Sequence, residues 1–111
     1  MKISEVIEKL SLDAVVLSDP EAEVNGCYVG DLLSWVMGRA EEDNLWITIM
    51  TNINTVAVAS LSGVSAIIIA EGLDVPEDVT TAAKNQGINI LRSPKPIFET
   101  SVDVGRLFGT L

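Results

Sequence analysis

The chain has 111 residues, 48% of them hydrophobic, with a formal net charge of −9, no histidine and one cysteine, Cys27. That composition is too apolar for a disordered chain, and the length is that of one domain, residues 1–111. It offers no basic footprint for a nucleic-acid backbone or an anionic membrane surface, and too few soft ligands for an iron–sulfur cluster or a zinc site.

The acidic charge is uneven. Residues 1–43 hold ten Asp or Glu against three Lys or Arg; residues 44–111 hold six against four. A solvated acidic face is the plain reading, and a basic protein partner the alternative. A lone cysteine forms no internal disulfide, so a reducing cytoplasm is expected. The N-terminal "MKISEVIEKL" carries charges throughout and lacks an apolar signal region. From Asn44 to Ala70 no residue is charged, a length that could span a bilayer. "TNIN" and "SLSG" break it into pieces, two of them strand-sized and β-branched, so it reads as buried soluble elements.

In chain order, "ISEVIEKL" places Ile3, Val6, Ile7 and Leu10 on one helical face. "DAVVL", Asp13 to Leu17, reads as a strand. "SDPEAEVNG" is a turn-rich connector, and "CYVGD" a short strand or extended lead-in. "DLLSWVMGRA" is a helix with an apolar stripe of Leu32, Leu33, Val36, Met37 and Ala40, and with Asp31 at the capping position. Trp35 falls off that stripe, which makes it a candidate interface residue. "LWITIM" reads as a strand covered on both faces, followed by a helix over Ile53 to Leu61 capped by Thr51 or Asn52. That helix is apolar nearly all round, so it needs cover on a second side, from this chain or from another copy. Val56, Val58 and Ala59 are therefore candidate interface residues beside Trp35.

"VSAIIIA" is the clearest strand. "GLDVPEDVTTAAKNQG" is a helix with Pro76 near its first position, Glu77 and Asp78 in the first turn and Gly87 closing it. "INIL" is a third strand, and "SPKPIFETSVDVGRLF" a last helix weakened by Gly105. The second half thus alternates strand and helix. The expected fold is α/β, three layers α/β/α around a mostly parallel sheet.

In an open parallel sheet, ligands bind beyond the carboxyl ends of the strands. Two such ends carry polar groups: "MTNIN", with Thr51, Asn52 and Asn54, and "AEGL", with Glu71 and Gly72. These five residues are the candidate ligand site, and each also has an ordinary structural reading as a cap, a turn or a solvated carboxylate. Catalysis finds no footing: there is no histidine, and neither a serine nor Cys27 has an identifiable base. Cys27 reads as structural.

The stretch "LWITIMTNINTVAVASLSGVSAIIIAEGLDVPEDVTTAAKNQGINILRSPKPIFET" resembles the DRTGG domain family, and the upstream "GCYVGDLLSWVM" resembles its stand-alone members. The likeness runs from about Asn25 to Leu107. The same fold forms the N-terminal domain of HPr kinase/phosphorylase and occurs in phosphotransacetylases and between the CBS repeats of certain inorganic pyrophosphatases. Where the family has its Asp-Arg and Thr-Gly-Gly loops, this chain reads "TNIN" and "AEG", and only Gly72 of the second loop is kept. The resemblance implies an accessory domain with no kinase machinery. Small stand-alone chains of this type are similar to ones encoded beside iron-only hydrogenase subunits, which implies a role accessory to an anaerobic redox system.

The residues and the resemblance together lead to a non-catalytic regulatory or protein-interaction module. It is expected to be a homodimer, with a hydrogenase subunit as a possible partner and no cofactor or metal. The alternative is a sensor for a nucleotide-like small molecule at the strand ends.

Overall fold

The structure, a computed structural model, describes residues 1–110. Five helices and five strands alternate in part: α1 (Ile3–Leu10), β1 (Asp13–Val16), β2 (Gly26–Val29), α2 (Leu33–Arg39), β3 (Asn44–Thr48), α3 (Ile53–Ser62), β4 (Ala66–Ile69), α4 (Glu77–Gln86), β5 (Ile90–Arg92) and α5 (Ile97–Leu107). The strands form one sheet in the order β1-β5-β4-β3-β2. β2, β3, β4 and β5 run parallel; β1 closes the far edge antiparallel to β5. The α/β, mostly parallel expectation therefore holds, and the first half supplies both edges.

Side-chain alternation along the strands builds the three layers. Trp46, Ile67, Ile69 and Ile90 face one side, where Val36 of α2, Val56 and Ala59 of α3, and Val79 and Ala83 of α4 cover them. Leu45, Ile47, Ile68 and Leu91 face the other, under Ile3 and Val6 of α1 and Val104 of α5. β3 and β4 are buried along their whole length, which is why both read as unbroken apolar runs. Trp46 is fully buried, and its ring N–H donates to the Gly30 carbonyl at 2.8 Å.

Residues 17–25 cross beneath the sheet from one edge to the other, at the amino ends of the parallel strands. A polar residue stands at each strand start to receive them. Asn89, 2% exposed, accepts from Asp19 N at 2.8 Å and donates to the carbonyls of Asp19 and Ser65, both at 2.9 Å. The Ser65 hydroxyl donates to the Glu23 carbonyl. Asn44 donates to Asn25 Oδ1 at 3.0 Å. The same connector supplies the carbonyls of Ala22 and Pro20 to the first free N–H groups of α1, both at 3.0 Å. A segment that reads as a surface turn is thus the strap that ties the antiparallel edge to the parallel sheet.

Two local expectations need correction. Asp31 caps no helix: its carboxylate accepts from the Thr48 hydroxyl at 2.7 Å and from Ile49 N at 3.0 Å, fixing the end of β3, and α2 starts without a side-chain cap. Only Val36 of the α2 stripe is fully buried. Leu32 and Met37 are 59% and 42% exposed, because this short helix lies over the β2 edge of the sheet.

Candidate functional site

The two polar loops do lie side by side, because Thr48 of β3 is paired with Ile69 of β4. Asn52 caps α3: its Oδ1 accepts from Asn54 N at 2.9 Å and from Thr55 N at 3.3 Å. The Thr55 hydroxyl, buried, donates to the Met50 carbonyl at 3.2 Å and closes the turn from below. Thr51 is half-buried and Asn54 exposed.

The helices that follow β4 and β5 go to opposite faces of the sheet, α4 to one and α5 to the other. That divergence is where an α/β sheet opens a ligand crevice. Here the chain stitches it shut. Glu71 N donates to Lys95 O at 2.8 Å and Gly72 N to Ser93 O at 2.9 Å. The Glu71 carboxylate accepts from Ile97 N at 2.7 Å, in the first turn of α5, which has no cap of its own. A carboxylate at a helix N-terminus stands where a ligand anion would bind. Glu71 holds this place at φ 66°, beside Gly72 at φ 64°, a region that costs an L-residue roughly 1–2 kcal/mol. Asn52 and Glu71 are therefore engaged in the fold, which leaves Thr51 and Asn54 as the free side chains of the candidate set.

Glu71→Ala removes the cap and keeps the strain, so it is expected to cost about 1 kcal/mol. Glu71→Gly removes both and should cost clearly less. Equal losses in thermal or urea unfolding would show that the carboxylate, and not the backbone conformation, sets the energy.

The candidate interface residues divide. Val56 and Ala59 are 1% and 0% exposed, enclosed between α3 and the sheet, so they cannot meet another chain. Val58 is half-buried and packs against the same core. Trp35 is 52% exposed and carries Arg39 over its ring, 3.8 Å from the centroid. Ile53 and Leu61, 51% and 75% exposed, are the large apolar residues that α3 turns outward. The all-round apolar pattern of α3 arises because α2 and α4 flank it while one stripe faces outward.

Cys27 lies on edge strand β2, exposed, in a cleft of about 320 Å³ shared with Val29, Val104 and Phe108. Desolvation by these neighbours pushes its thiol up to about 12. Water reaching an exposed sulfur lessens that push without reversing it, and no cation opposes it. The group is a thiol at neutral pH, and its reactive thiolate appears only as pH rises well above the ordinary range. Alkylation of the folded protein by iodoacetamide at pH 7.5 should run at least tenfold slower than that of free cysteine; an equal rate would contradict this setting. Among the described residues, no group of three or more His, Cys, Asp or Glu could hold a metal ion. No helix among them is long and apolar enough to cross a membrane.

No family model matches the chain. Over 46 residues it is 41% identical to HPr kinase/phosphorylase of Enterococcus faecalis, a stretch that covers 41% of this chain and 12% of that protein. Its fold is similar to that of the CBS and DRTGG domains of the regulatory region of Clostridium perfringens pyrophosphatase, solved in complex with the activator diadenosine tetraphosphate. The TM-score is 0.74 at 16% identity, over 99% of this chain and 47% of that one. The chain thus spans less than half of the solved structure and a small part of the kinase. The structural likeness is one of fold, a five-stranded mostly parallel sheet with helices on both faces.

Proposed function

We propose that this chain is a non-catalytic regulatory module that acts by contact with other protein chains and works as a homodimer through the outer face of α2 and α3. The observation that carries this reading is the exposure there of Leu32, Trp35 and Met37 on one helix and of Ile53 and Leu61 on its neighbour. The two helices adjoin, with the Ser62 hydroxyl 3.6 Å from the Met37 sulfur. Scattered apolar residues are normal on a surface; five large ones on two adjoining helices, an exposed Trp among them, include the residue types enriched in interface cores. The fold likeness to a regulatory region is in keeping with such a role.

The setting that the sequence resemblance implies is an anaerobic redox system of hydrogenase type, in the cytoplasm, with a hydrogenase subunit as the further partner. A second reading is a sensor for a nucleotide-like molecule, favoured by the nucleotide activator bound to the structural neighbour.

Tryptophan emission tests the dimer face. Trp46 is fully buried in the chain itself and is insensitive to association, whereas Trp35 reports on the α2–α3 face. Dilution from micromolar to nanomolar concentration should shift the emission to the red as Trp35 meets water. An unchanged spectrum, already that of an exposed indole at high concentration, would contradict the reading.

A further inference from the structure

A cleft of about 350 Å³ opens beyond the carboxyl end of β5, between the end of α1 and the start of α5. That volume lies within the range of small-molecule sites. Its charged and hydroxyl-bearing lining is Lys9, Ser11, Ser93, Lys95, Thr100 and Asp103. The chain has only seven Lys and Arg against sixteen Asp and Glu, and two of the seven border this one cleft beside a single carboxylate. Among the lining residues the charge balance is therefore positive, on a strongly negative protein.

The floor is fixed. Ser93 and Thr100 are 2% and 3% exposed, and their hydroxyls meet at 2.7 Å. Lys95 N donates to Ser93 Oγ and the Thr100 hydroxyl to Lys95 O, each at 3.2 Å. These bonds lock the backbone that carries Lys95. The arms are free to adjust: Lys9 makes no ion pair among the described residues, and Lys95 reaches Asp103 at 2.8 Å through an exposed pair that contributes little stability. Ser11, at φ 52°, is exposed at the rim, and its hydroxyl makes no hydrogen bond among the described residues. Leu10, Leu12 and Pro94 supply an apolar wall.

We propose that this cleft binds a small free molecule bearing a phosphate monoester. Its phosphate sits between Lys9 and Lys95 with the Ser11 hydroxyl donating, and its less polar body lies against Leu10, Leu12 and Pro94. Two ammonium groups suit a dianion. Asp103 competes with the ligand for Lys95, so binding breaks that pair. The site adjoins the loop at residues 71–72, whose backbone bonds Lys95 and Ser93, but none of residues 51–54 lines it. It lies on the opposite face of the sheet from α2 and α3, so it stands whether or not the chain dimerises.

Inorganic phosphate and phenyl phosphate, titrated at constant ionic strength and followed by amide chemical shifts, test the proposal. Saturable shifts centred on residues 9–12 and 93–95 are expected, with phenyl phosphate the tighter probe. Lys9→Ala or Lys95→Ala should weaken phenyl phosphate at least tenfold, and Asp103→Asn should tighten it about threefold. All three are surface positions, so the variants keep their fold. Shifts that fail to saturate, or affinity unchanged in both lysine variants, would overturn the proposal. Vesicles carrying phosphatidic acid present the same monoester on a surface and should not be bound; binding to them in place of phenyl phosphate would overturn the assignment to a free molecule.

Discussion

Asn89→Ala is expected to cost the fold about 3 kcal/mol, the largest loss from any single polar side chain of this protein. Asn89 is buried at the start of β5, and its amide makes three bonds of 2.8–2.9 Å to Asp19 and Ser65. Truncation to alanine strands an N–H and two carbonyls. Each stranded buried group costs roughly 1–3 kcal/mol, and water can reach those of exposed Asp19, which keeps the total at the lower end of the sum. The loss also frees the strap at residues 17–25, which holds both edge strands and the first turn of α1. Urea unfolding should show a lower midpoint with an unchanged slope. A loss under 1 kcal/mol would mean that the strap is held by Ser18, Ser65 and Asn44 without Asn89.

The second large effect concerns assembly. Trp35→Asp combined with Leu61→Asp should raise the dimer dissociation constant at least a hundredfold, equivalent to about 2.7 kcal/mol. Trp35 and Leu61 are 52% and 75% exposed on adjacent helices, so neither change disturbs the core. In the dimer each aspartate would have to leave water without a partner, on a chain whose net charge is already −9. The α2–α3 pair would place acidic groups against their own copies, because a two-fold interface uses the same patch twice. Unfolding of the diluted variant should match that of the diluted wild type. A variant that associates as before would place the contact elsewhere.

The parallel half of the fold was legible because its signals are local. Uninterrupted β-branched runs mark β3 and β4, Asn52 caps α3, and Gly87 closes α4 at φ 70°. The strap was not legible, because its partners Asp19 and Asn89 are 70 residues apart and each alone looks like a turn residue. The adjacency of the two polar loops was legible, because β3 and β4 are paired and end together. What the pattern could not reveal is that Glu71 reaches 26 residues along the chain to cap α5. Nor could a helical wheel decide which apolar residues of α3 face the sheet. Val56 and Ala59 do, whereas Ile53 and Leu61 do not, and that follows from the docking of α2 and α4 on either side. The Lys9–Lys95 cleft has no local signature, because Lys9 lies in the last turn of α1 and Lys95 just before α5, 86 residues further along the chain.

The mass of the protein in solution tests the central claim most directly. Light scattering at micromolar concentration and physiological salt should return twice the chain mass of 11.9 kDa, falling to the single-chain value in the Trp35→Asp, Leu61→Asp variant. A wild-type protein that scatters as a single chain of 11.9 kDa throughout this concentration range would contradict the claim that it functions as a homodimer through α2 and α3.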